Sequence, residues 1–323
     1  MGWRFALSAL ALVLMADAAA ADVAVCKPTL VASLEMLHEP DGAIAVMAGI
    51  NGEQHRMLVD TSDLHSFLTS EFVESADLPQ KHITDKLIIR TPSGDAKMLG
   101  VVDQLTLGSG IARDVKMVML PANPHRDPGI AGSIGTNLLA NFDVEFDFAA
   151  SRINLLSGCT GVGAYWASRY AELPIDLKKL GRPAATWQLD GQAVTVTFST
   201  NAPGSSMPFN VAKDKFGLVE TSPGVETAGT DPHGETIHNY RFKLLTAEGV
   251  TVGNPLVRLR GNSDDPPCDG RERTRLWTGH IGLLRTKCVD AGDLTLGIRE
   301  MSKMHLYFAF KENKLYFTAA GEH

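Results

Sequence analysis

Apolar and polar residues alternate with a period of two along much of the chain, which predicts strands rather than helices. The alternating segments are residues 44–47, 57–59, 86–89, 101–107, 115–119 and 194–198. Turn pairs such as Asn51-Gly52 separate them. Helix is favoured only in short segments, at residues 69–76, 136–141 and 163–171. We therefore expect a mainly β protein.

Two segments of the chain look like copies of one structural element. Each has a turn glycine (Gly52 or Gly191), five further residues, an apolar strand end and a polar-Thr-polar triplet. The triplets are Asp-Thr-Ser at residues 60–62 and Ser-Thr-Asn at residues 199–201. The only carboxylate in either triplet is therefore in the first copy.

A second pair of segments supports the repeat. GSIG at residues 132–135 and GHIG at residues 279–282 are each followed by apolar residues and then by a strand. A repeat of this length suits a duplicated domain rather than a solenoid. We expect lobes at residues 22–160 and 184–323, joined by a linker at residues 161–183. The acidic residues at positions 143, 145 and 147 alternate along one strand and are expected on its solvent face.

The first 21 residues have the order of a secretory signal peptide. A positive charge near the start precedes an apolar stretch and then a run of small residues, at residues 1–21. The apolar stretch is too short for a permanent transmembrane anchor, so we expect no stable membrane insertion. The chain is expected to be secreted across the inner membrane and to be periplasmic or extracellular.

Charge and cysteines limit the partners and cofactors. A net charge of −7 without a basic stripe argues against nucleic acid. Four cysteines in an exported chain favour disulfides, with three possible connectivities, and we expect Cys26–Cys159 and Cys268–Cys288. There is no CxxC motif and no histidine pair with ligand spacing, so we expect no metal and no cofactor.

At this point the motifs resemble a known family. LVDTS at residues 58–62 resembles the apolar-apolar-Asp-Thr-Gly signature of the pepsin and retropepsin aspartyl proteases. HSFL at residues 65–68 and GSIGTNLL at residues 132–139 resemble further parts of that pattern. The resemblance extends over roughly residues 35–320. It implies a mainly β, two-lobed acid-protease fold, with duplicated retropepsin-like β-barrel lobes and few short helices.

The resemblance also implies roles for individual residues. Asp60 takes the position of a catalytic carboxylate, and Thr61 and Thr200 match the threonines that lock the two loops together in that family. Ser62 stands where the signature has glycine. A hairpin over the substrate, the flap of such enzymes, is expected at Thr91, Pro92, Ser93 and Gly94.

The second triplet departs from the family pattern at the position of the second catalytic carboxylate. Aspartic proteases use two carboxylates that share a proton. Here the second position is Ser199, whose hydroxyl cannot share a proton at useful pH, and Asn201 is polar but does not titrate.

Two functions remain open. One is an aspartic-type endopeptidase in which Asp60 activates water, acting as a monomer or as a homodimer that brings two Asp60 residues together. The other is an inactive pseudoprotease that binds a peptide or protein partner in the cleft between its lobes.

Overall fold

The structure of this chain is a computed structural model. It describes residues 27–83, 89–91, 94–123, 127–177, 181–230, 236–265, 272–276, 283–287 and 292–321. Within these residues strands far outnumber helices, so the prediction of a mainly β protein is confirmed.

The described residues of the first half of the chain form fourteen strands and two short helices. The strands are β1 Leu30–Glu35, β2 Leu37–His38, β3 Ile44–Ile50, β4 Glu53–Val59, β5 Phe67–Thr69, β6 Gln80–His82, β7 Ile89–Thr91, β8 Gly94–Ala96, β9 Met98–Leu107, β10 Gly110–Leu120, β11 Ile130–Ile134, β12 Asp143–Asp147, β13 Arg152–Leu156 and β14 Ala171–Pro174. The helices are α1 Ser70–Ser75 and α2 Thr136–Leu139. Helix α1 begins where the hydroxyl of Thr69 accepts a hydrogen bond from the backbone N–H of Phe72 at 3.1 Å.

The second half repeats this mixture. Its strands are β15 Ala184–Leu189, β16 Gln192–Phe198, β17 Ser205–Pro208, β18 Glu226–Thr230, β19 Thr236–Arg241, β20 Leu244–Ala247, β21 Val250–Gly253, β22 Leu256–Arg260, β23 Glu272–Leu276, β24 Leu283–Lys287, β25 Leu294–Leu296, β26 Met304–Ala309 and β27 Lys314–Ala319. Its helices are α3 Phe209–Phe216 and α4 Ile298–Met301. The sequence pattern does not predict α3, which ends at Gly217 in the left-handed conformation.

Each lobe is built on its own large sheet, and the two sheets share one motif. The first has the strand order β2-β3-β4-β11-β5-β10-β9-β6, and the second has the order β18-β19-β22-β17-β25-β16-β15-β20-β21. In the first sheet β4 pairs parallel with β11, which pairs antiparallel with β5, which pairs parallel with β10. In the second sheet the same relations join β16, β25, β17 and β22. The expected duplication is therefore present as two copies of one strand arrangement.

The register of this motif corrects one sequence assignment. Ile134 pairs with Val59 in the first lobe, and Leu296 pairs with Phe198 in the second. Val59 and Phe198 each stand directly before a triplet, so residues 294–297 are the counterpart of residues 132–135. The proposed counterpart at residues 279–282 was wrong, and those residues lie outside the described part of the chain. The glycine pattern gave the wrong match because the true counterpart of Gly132 in the second lobe is Leu294, which is not a glycine.

A third sheet joins the two halves. Its order is β1-β13-β12-β26-β27-β14, and β12 from the first half pairs antiparallel with β26 from the second. Phe146 and Phe308, on these strands, are fully buried and meet edge to face with ring centroids 5.8 Å apart. One hydrophobic cluster runs through all three sheets, so the lobes share a continuous core.

Residues 163–171 do not form the predicted helix, and β14 begins at Ala171 instead. The aromatic side chains of this segment pack onto the third sheet. Tyr165 donates a hydrogen bond to Glu145 at 2.6 Å, and Trp166 stacks on His305 with ring centroids 4.1 Å apart. These tertiary contacts outweigh the weak helical preference of the segment.

The expected solvent face of β12 is covered by the same segment, so that expectation was wrong. Asp143 is 0 % exposed and Glu145 is 2 % exposed, whereas Asp147 is partly exposed. Tyr307 donates to Asp143 at 3.0 Å, and His305 lies 2.7 Å from Glu145. The buried carboxylates are thus satisfied by hydrogen bonds, as burial of charge requires.

Two sequence predictions fall partly outside the described residues. Cys159 is buried and disulfide-bonded, but Cys26, Cys268 and Cys288 are not described, so both pairings stay predictions. Across the described ranges no helix is both long and apolar enough to cross a bilayer.

Candidate active-site cleft

The two triplets meet between the lobes, where their threonines interlock. The hydroxyl of Thr61 donates to the carbonyl of Phe198 at 2.7 Å and accepts from the backbone N–H of Thr200 at 3.3 Å. The hydroxyl of Thr200 donates to the carbonyl of Val59 at 2.5 Å and accepts from the N–H of Thr61 at 3.2 Å. Both threonines are buried, so each loop is held by the opposite lobe.

Each loop is also fixed from behind by the strand that follows it in the motif. The N–H of Asp60 donates to the carbonyl of Ile134, and the N–H of Ser199 donates to the carbonyl of Leu296, both at 2.9 Å. These equivalent bonds place Ser199 at the position of the second carboxylate in the duplicated fold. The two triplets therefore face each other in the geometry that the repeat implied.

A glycine supports each loop because no side chain fits there. A Cβ on Gly135 would lie 2.3 Å from the carbonyl oxygen of His65, and one on Gly297 would lie 2.4 Å from that of Gly204. The N–H groups of these glycines donate to the hydroxyls of Ser66 at 2.9 Å and Ser205 at 3.1 Å. The loops thus rest directly on backbone.

Asp60 is 8 % exposed and both of its carboxylate oxygens accept hydrogen bonds. Oδ1 accepts from the N–H of Ser62 at 2.9 Å and from its hydroxyl at 2.6 Å. Oδ2 accepts from the side-chain amide of Asn201 at 3.1 Å. The second triplet thus contributes an amide donor to Asp60 and no proton-sharing carboxylate.

Ser199 completes this network without touching the carboxylate. Its hydroxyl is 4 % exposed and donates to the hydroxyl of Ser62 at 3.1 Å. Ser62, which replaces the signature glycine, therefore lies between Ser199 and Asp60 and links them. Two hydroxyl groups, those of Ser199 and Ser62, therefore lead to Asp60 from the position where the family has its second carboxylate.

A cavity of about 590 Å³ opens beside Asp60. Its lining is mostly from the first lobe, with Asn201 from the second. Apolar walls come from Leu58, Phe67, Ile89, Leu120 and Ile130. An apolar cavity with a few converging polar groups is the usual form of a binding site.

Carboxylates dominate the charged groups of the cavity. Besides Asp60 they are Glu39, Asp41, Asp63 and Asp127. Arg56 bridges two of them, at 3.4 Å from Glu39 and 3.1 Å from Asp127. The first-lobe side of the cleft therefore keeps a net negative charge.

Asp63 is the titratable group most perturbed in this cavity. Burial raises its pKa, and the negative charge of Asp60 raises it further, while a hydrogen bond from the N–H of His65 opposes both effects. Sequence reasoning did not select Asp63 as a site residue. The feature of the sequence that could have identified Asp63 is its position three residues after Asp60.

The predicted flap region contains a hairpin. Strand β7 pairs antiparallel with β8, and the hydroxyl of Thr91 donates to the carbonyl of Gly94 at 2.7 Å. Ile89 and Thr91 line the cavity. Pro92 and Ser93 lie outside the described residues. The hairpin stands beside Asp60's cavity, and its role as a flap stays a prediction.

Arg182 is a further cleft residue that sequence reasoning missed. Its guanidinium Nη1 donates to the carbonyl of Ser62 at 3.0 Å. The preceding residue, Gly181, has φ +66°, and a Cβ there would meet Leu64 at 3.1 Å. An equivalent arrangement occurs at Gly42, which has φ +86°, where a Cβ would meet Pro203 at 3.0 Å. Arg182 is therefore part of the repeated loop environment.

Residues 46–138 match the model of a family described as aspartyl protease. Among solved structures, the aspartic proteinase from Irpex lacteus is similar with a TM-score of 0.55 and 12 % identity, over 90 % of this chain and 97 % of that one. The chain has the two-lobed fold of an aspartic proteinase. Both matches agree with the resemblance to the pepsin and retropepsin aspartyl proteases that the sequence motifs indicated. No relative was found among curated proteins.

In the described ranges, no group of three or more histidine, cysteine, aspartate or glutamate side chains has a geometry suited to a metal ion.

Proposed function

We propose that this chain binds an extended peptide in the cleft between its lobes and does not hydrolyse it by the two-carboxylate mechanism. The interlocked Thr61 and Thr200, the cavity beside Asp60 and the hairpin above it support a peptide-binding cleft. The observation that carries the proposal is Ser199 at the position of the second carboxylate.

The missing carboxylate matters because amide hydrolysis needs two proton-transfer roles. One group removes a proton from water, and another protonates the carbonyl oxygen or the leaving nitrogen. The Ser199 hydroxyl and the Asn201 amide donate hydrogen bonds but do not deliver a proton at useful pH. The retained polar groups are suited to holding a peptide backbone by hydrogen bonds.

The experiment that tests this proposal combines binding and cleavage. The chain without residues 1–21 is incubated with a broad peptide library between about pH 3 and pH 7, the range over which carboxylates and histidine titrate. Mass spectrometry reads cleavage, and retention on the immobilised chain reads binding. We expect retained but uncut peptides, and weaker retention by Asp60→Asn.

Asp103→Asn is the matched control, because Asp103 is an exposed aspartate on β9 outside the cavity. Peptide cleavage that disappears in Asp60→Asn and persists in Asp103→Asn would overturn the proposal. A library with no retained peptide, on a chain folded by circular dichroism, would equally overturn it.

A second candidate is hydrolysis with both carboxylates from the first lobe. Asp63 lines the same cavity as Asp60, and burial together with the charge of Asp60 raises its pKa. In this version Asp60 acts as base and protonated Asp63 as acid. The rate would then fall as pH rises through the raised pKa of Asp63, and Asp63→Asn would abolish cleavage without unfolding the chain.

We further propose that the chain acts after export, in the periplasm or outside the cell. The signal-peptide order of residues 1–21 supports this location, and the cysteine content agrees with an oxidising compartment. A monomer is favoured over a retropepsin-like homodimer, because Thr200 of the chain's own second lobe already occupies the position that a partner's loop would need. Size-exclusion chromatography with light scattering tests the monomer.

A further inference from the structure

The side chains on the two sides of the cleft differ in polarity and charge. Because both lobes repeat one strand motif, each position on one side can be compared with its counterpart on the other. In the first lobe Phe67 and Val118 pair across β5 and β10 and form a small apolar cluster with Ala96. Leu120, two residues further along β10, packs against this cluster and lines the cavity. The first-lobe wall is therefore apolar at these positions.

The same positions in the second lobe are polar and basic. Strand β17 pairs with β22 in the register Ser206 with Arg258 and Pro208 with Arg260. By the shared motif, Ser206 is the counterpart of Phe67, Arg258 of Val118 and Arg260 of Leu120. Side chains alternate along a strand. The intervening residues of β22 are fully buried, so Arg258 and Arg260 project from the face opposite to that core.

Among the described residues, these arginines have no carboxylate to balance them. Within the described ranges, no acidic side chain lies within ion-pair distance of Arg258 or Arg260. Both residues are exposed, although the atoms around the guanidinium of Arg260 are dense enough to remove part of its hydration. In the part of the second-lobe wall that the structure describes, the positive charge is therefore not neutralised.

Arg182 adds a third guanidinium, next to the Asp60 loop. Its Nη1 is held by the carbonyl of Ser62, beside Asp60. Its Nε is buried and has no hydrogen-bond partner among the described residues. Burial lowers the pKa of Arg260, and the positive charge of Arg182 lowers it further. Arg182 beside the Asp60 loop and Arg260 on the second-lobe wall thus offer two guanidinium groups to one anion.

We propose that Arg182 and Arg260 bind a carboxylate of the peptide on the second-lobe side of the cleft. The planar guanidinium suits a carboxylate because its N–H groups match the two oxygens. The carboxylate is either an acidic side chain or the free C-terminus of the peptide, since both present the same group. This inference rests on the proposed peptide binding and adds the substrate class.

The test uses one peptide scaffold, taken from the retained library peptides, in three labelled forms. The first has glutamate on the second-lobe side and an amidated C-terminus. The second has glutamine at that position and a free C-terminal carboxylate. The third has glutamine and an amide, so it carries neither carboxylate. Fluorescence anisotropy measures the Kd of each form for the wild-type chain, Arg260→Gln and Arg182→Gln.

We expect one carboxylate-bearing form to bind the wild-type chain about tenfold more tightly than the form without a carboxylate, the size of one charge-assisted interaction. Whichever form gains identifies the source of the carboxylate. Arg260→Gln should remove that gain while leaving the third form unchanged. Arg113→Gln, an exposed arginine on β10 outside the cavity, should keep the gain.

The results that would contradict the carboxylate site differ from those that would contradict the proposed peptide binding, on which this inference rests. Equal binding of all three forms to the wild-type chain, or a gain that persists in Arg260→Gln, overturns the carboxylate site and leaves peptide binding intact. Absence of binding by every form, with the chain folded, overturns both. If Arg182→Gln fails to fold, Arg260→Gln still tests the proposal, because Arg260 makes no hydrogen bond to the Asp60 loop among the described contacts.

Discussion

Thr61 and Thr200 exchange hydrogen bonds across the lobe boundary, each hydroxyl accepting from the other's backbone N–H at 3.3 and 3.2 Å. Each hydroxyl also donates to a carbonyl at the end of the opposite strand. The scaffold that positions two carboxylates is therefore retained although only Asp60 remains. This arrangement separates the stability of the cleft from its chemistry, so the two can be tested independently.

Thr200→Val should destabilise the chain strongly. Valine keeps the shape but leaves the N–H of Thr61 and the carbonyl of Val59 buried without their hydroxyl partner. Each of these two groups costs about 1–3 kcal/mol, so we expect a loss of about 2–6 kcal/mol in the free energy of unfolding. Urea denaturation measures it. Thr227→Val on exposed β18 is the control and should change stability by less than about 0.5 kcal/mol; equal losses would contradict the interlock.

Ser199→Asp combined with Asn201→Gly should create hydrolysis on the existing scaffold. The aspartate restores a second proton carrier, and the glycine removes the amide that now occupies Oδ2 of Asp60. Positioned acid–base catalysis is worth about 10²–10⁴-fold, so we expect peptide cleavage at acidic pH at least about 10²-fold above that of the wild-type chain. Adding Asp60→Asn should abolish it. A folded double variant that cuts nothing would show that more than these two positions has diverged.

Gly135→Ala should displace the first loop. Its methyl group would lie 2.3 Å from the carbonyl oxygen of His65, which belongs to the backbone and cannot move freely. Overpacking of this kind costs about 1–3 kcal/mol, read as a lower melting temperature. Gly253→Ala is the matched control, because a Cβ there meets nothing within 4 Å. Similar shifts for both variants would show that the close contact at Gly135 does not constrain the loop.

Glu145 should make stability depend on pH. Burial alone would raise its pKa, but hydrogen bonds from His305, Tyr165 and Asn154 outweigh burial and hold the pKa below its ordinary value. A depressed pKa in the folded state means that the unfolded chain takes up the proton first as pH falls. The stabilisation from Glu145 is therefore complete above the unfolded pKa of about 4.3 and is lost as pH falls through the folded value.

The measurement is the free energy of unfolding against pH for the wild-type chain and Glu145→Gln. The variant should be less stable near neutral pH by about 1–3 kcal/mol, as expected for a disturbed buried network, and should lose less stability on acidification. Glu226→Gln, at an exposed position on β18, is the control and should keep the wild-type slope. Parallel slopes for Glu145→Gln and the wild-type chain would contradict this assignment.

Local patterns in the sequence were sufficient for the strand-rich class, the duplicated triplets and the position of Asp60. Strand alternation and turn residues act over a few positions, so they can be read without a partner. The failures lie where distant segments decide. The helix expected at residues 163–171 gave way because Tyr165 and Trp166 pack on the third sheet, and the same packing buried Asp143 and Glu145.

The site divides in the same way. The sequence by itself determined that one triplet carries a carboxylate and the other a serine, because side-chain chemistry is local. Only the tertiary structure decided that Asn201 reaches Asp60, that Ser62 links it to Ser199, and that Arg182 anchors beside this loop. Those contacts join residues more than a hundred positions apart, and their partners are chosen by how the two lobes pack rather than by any pattern along the chain.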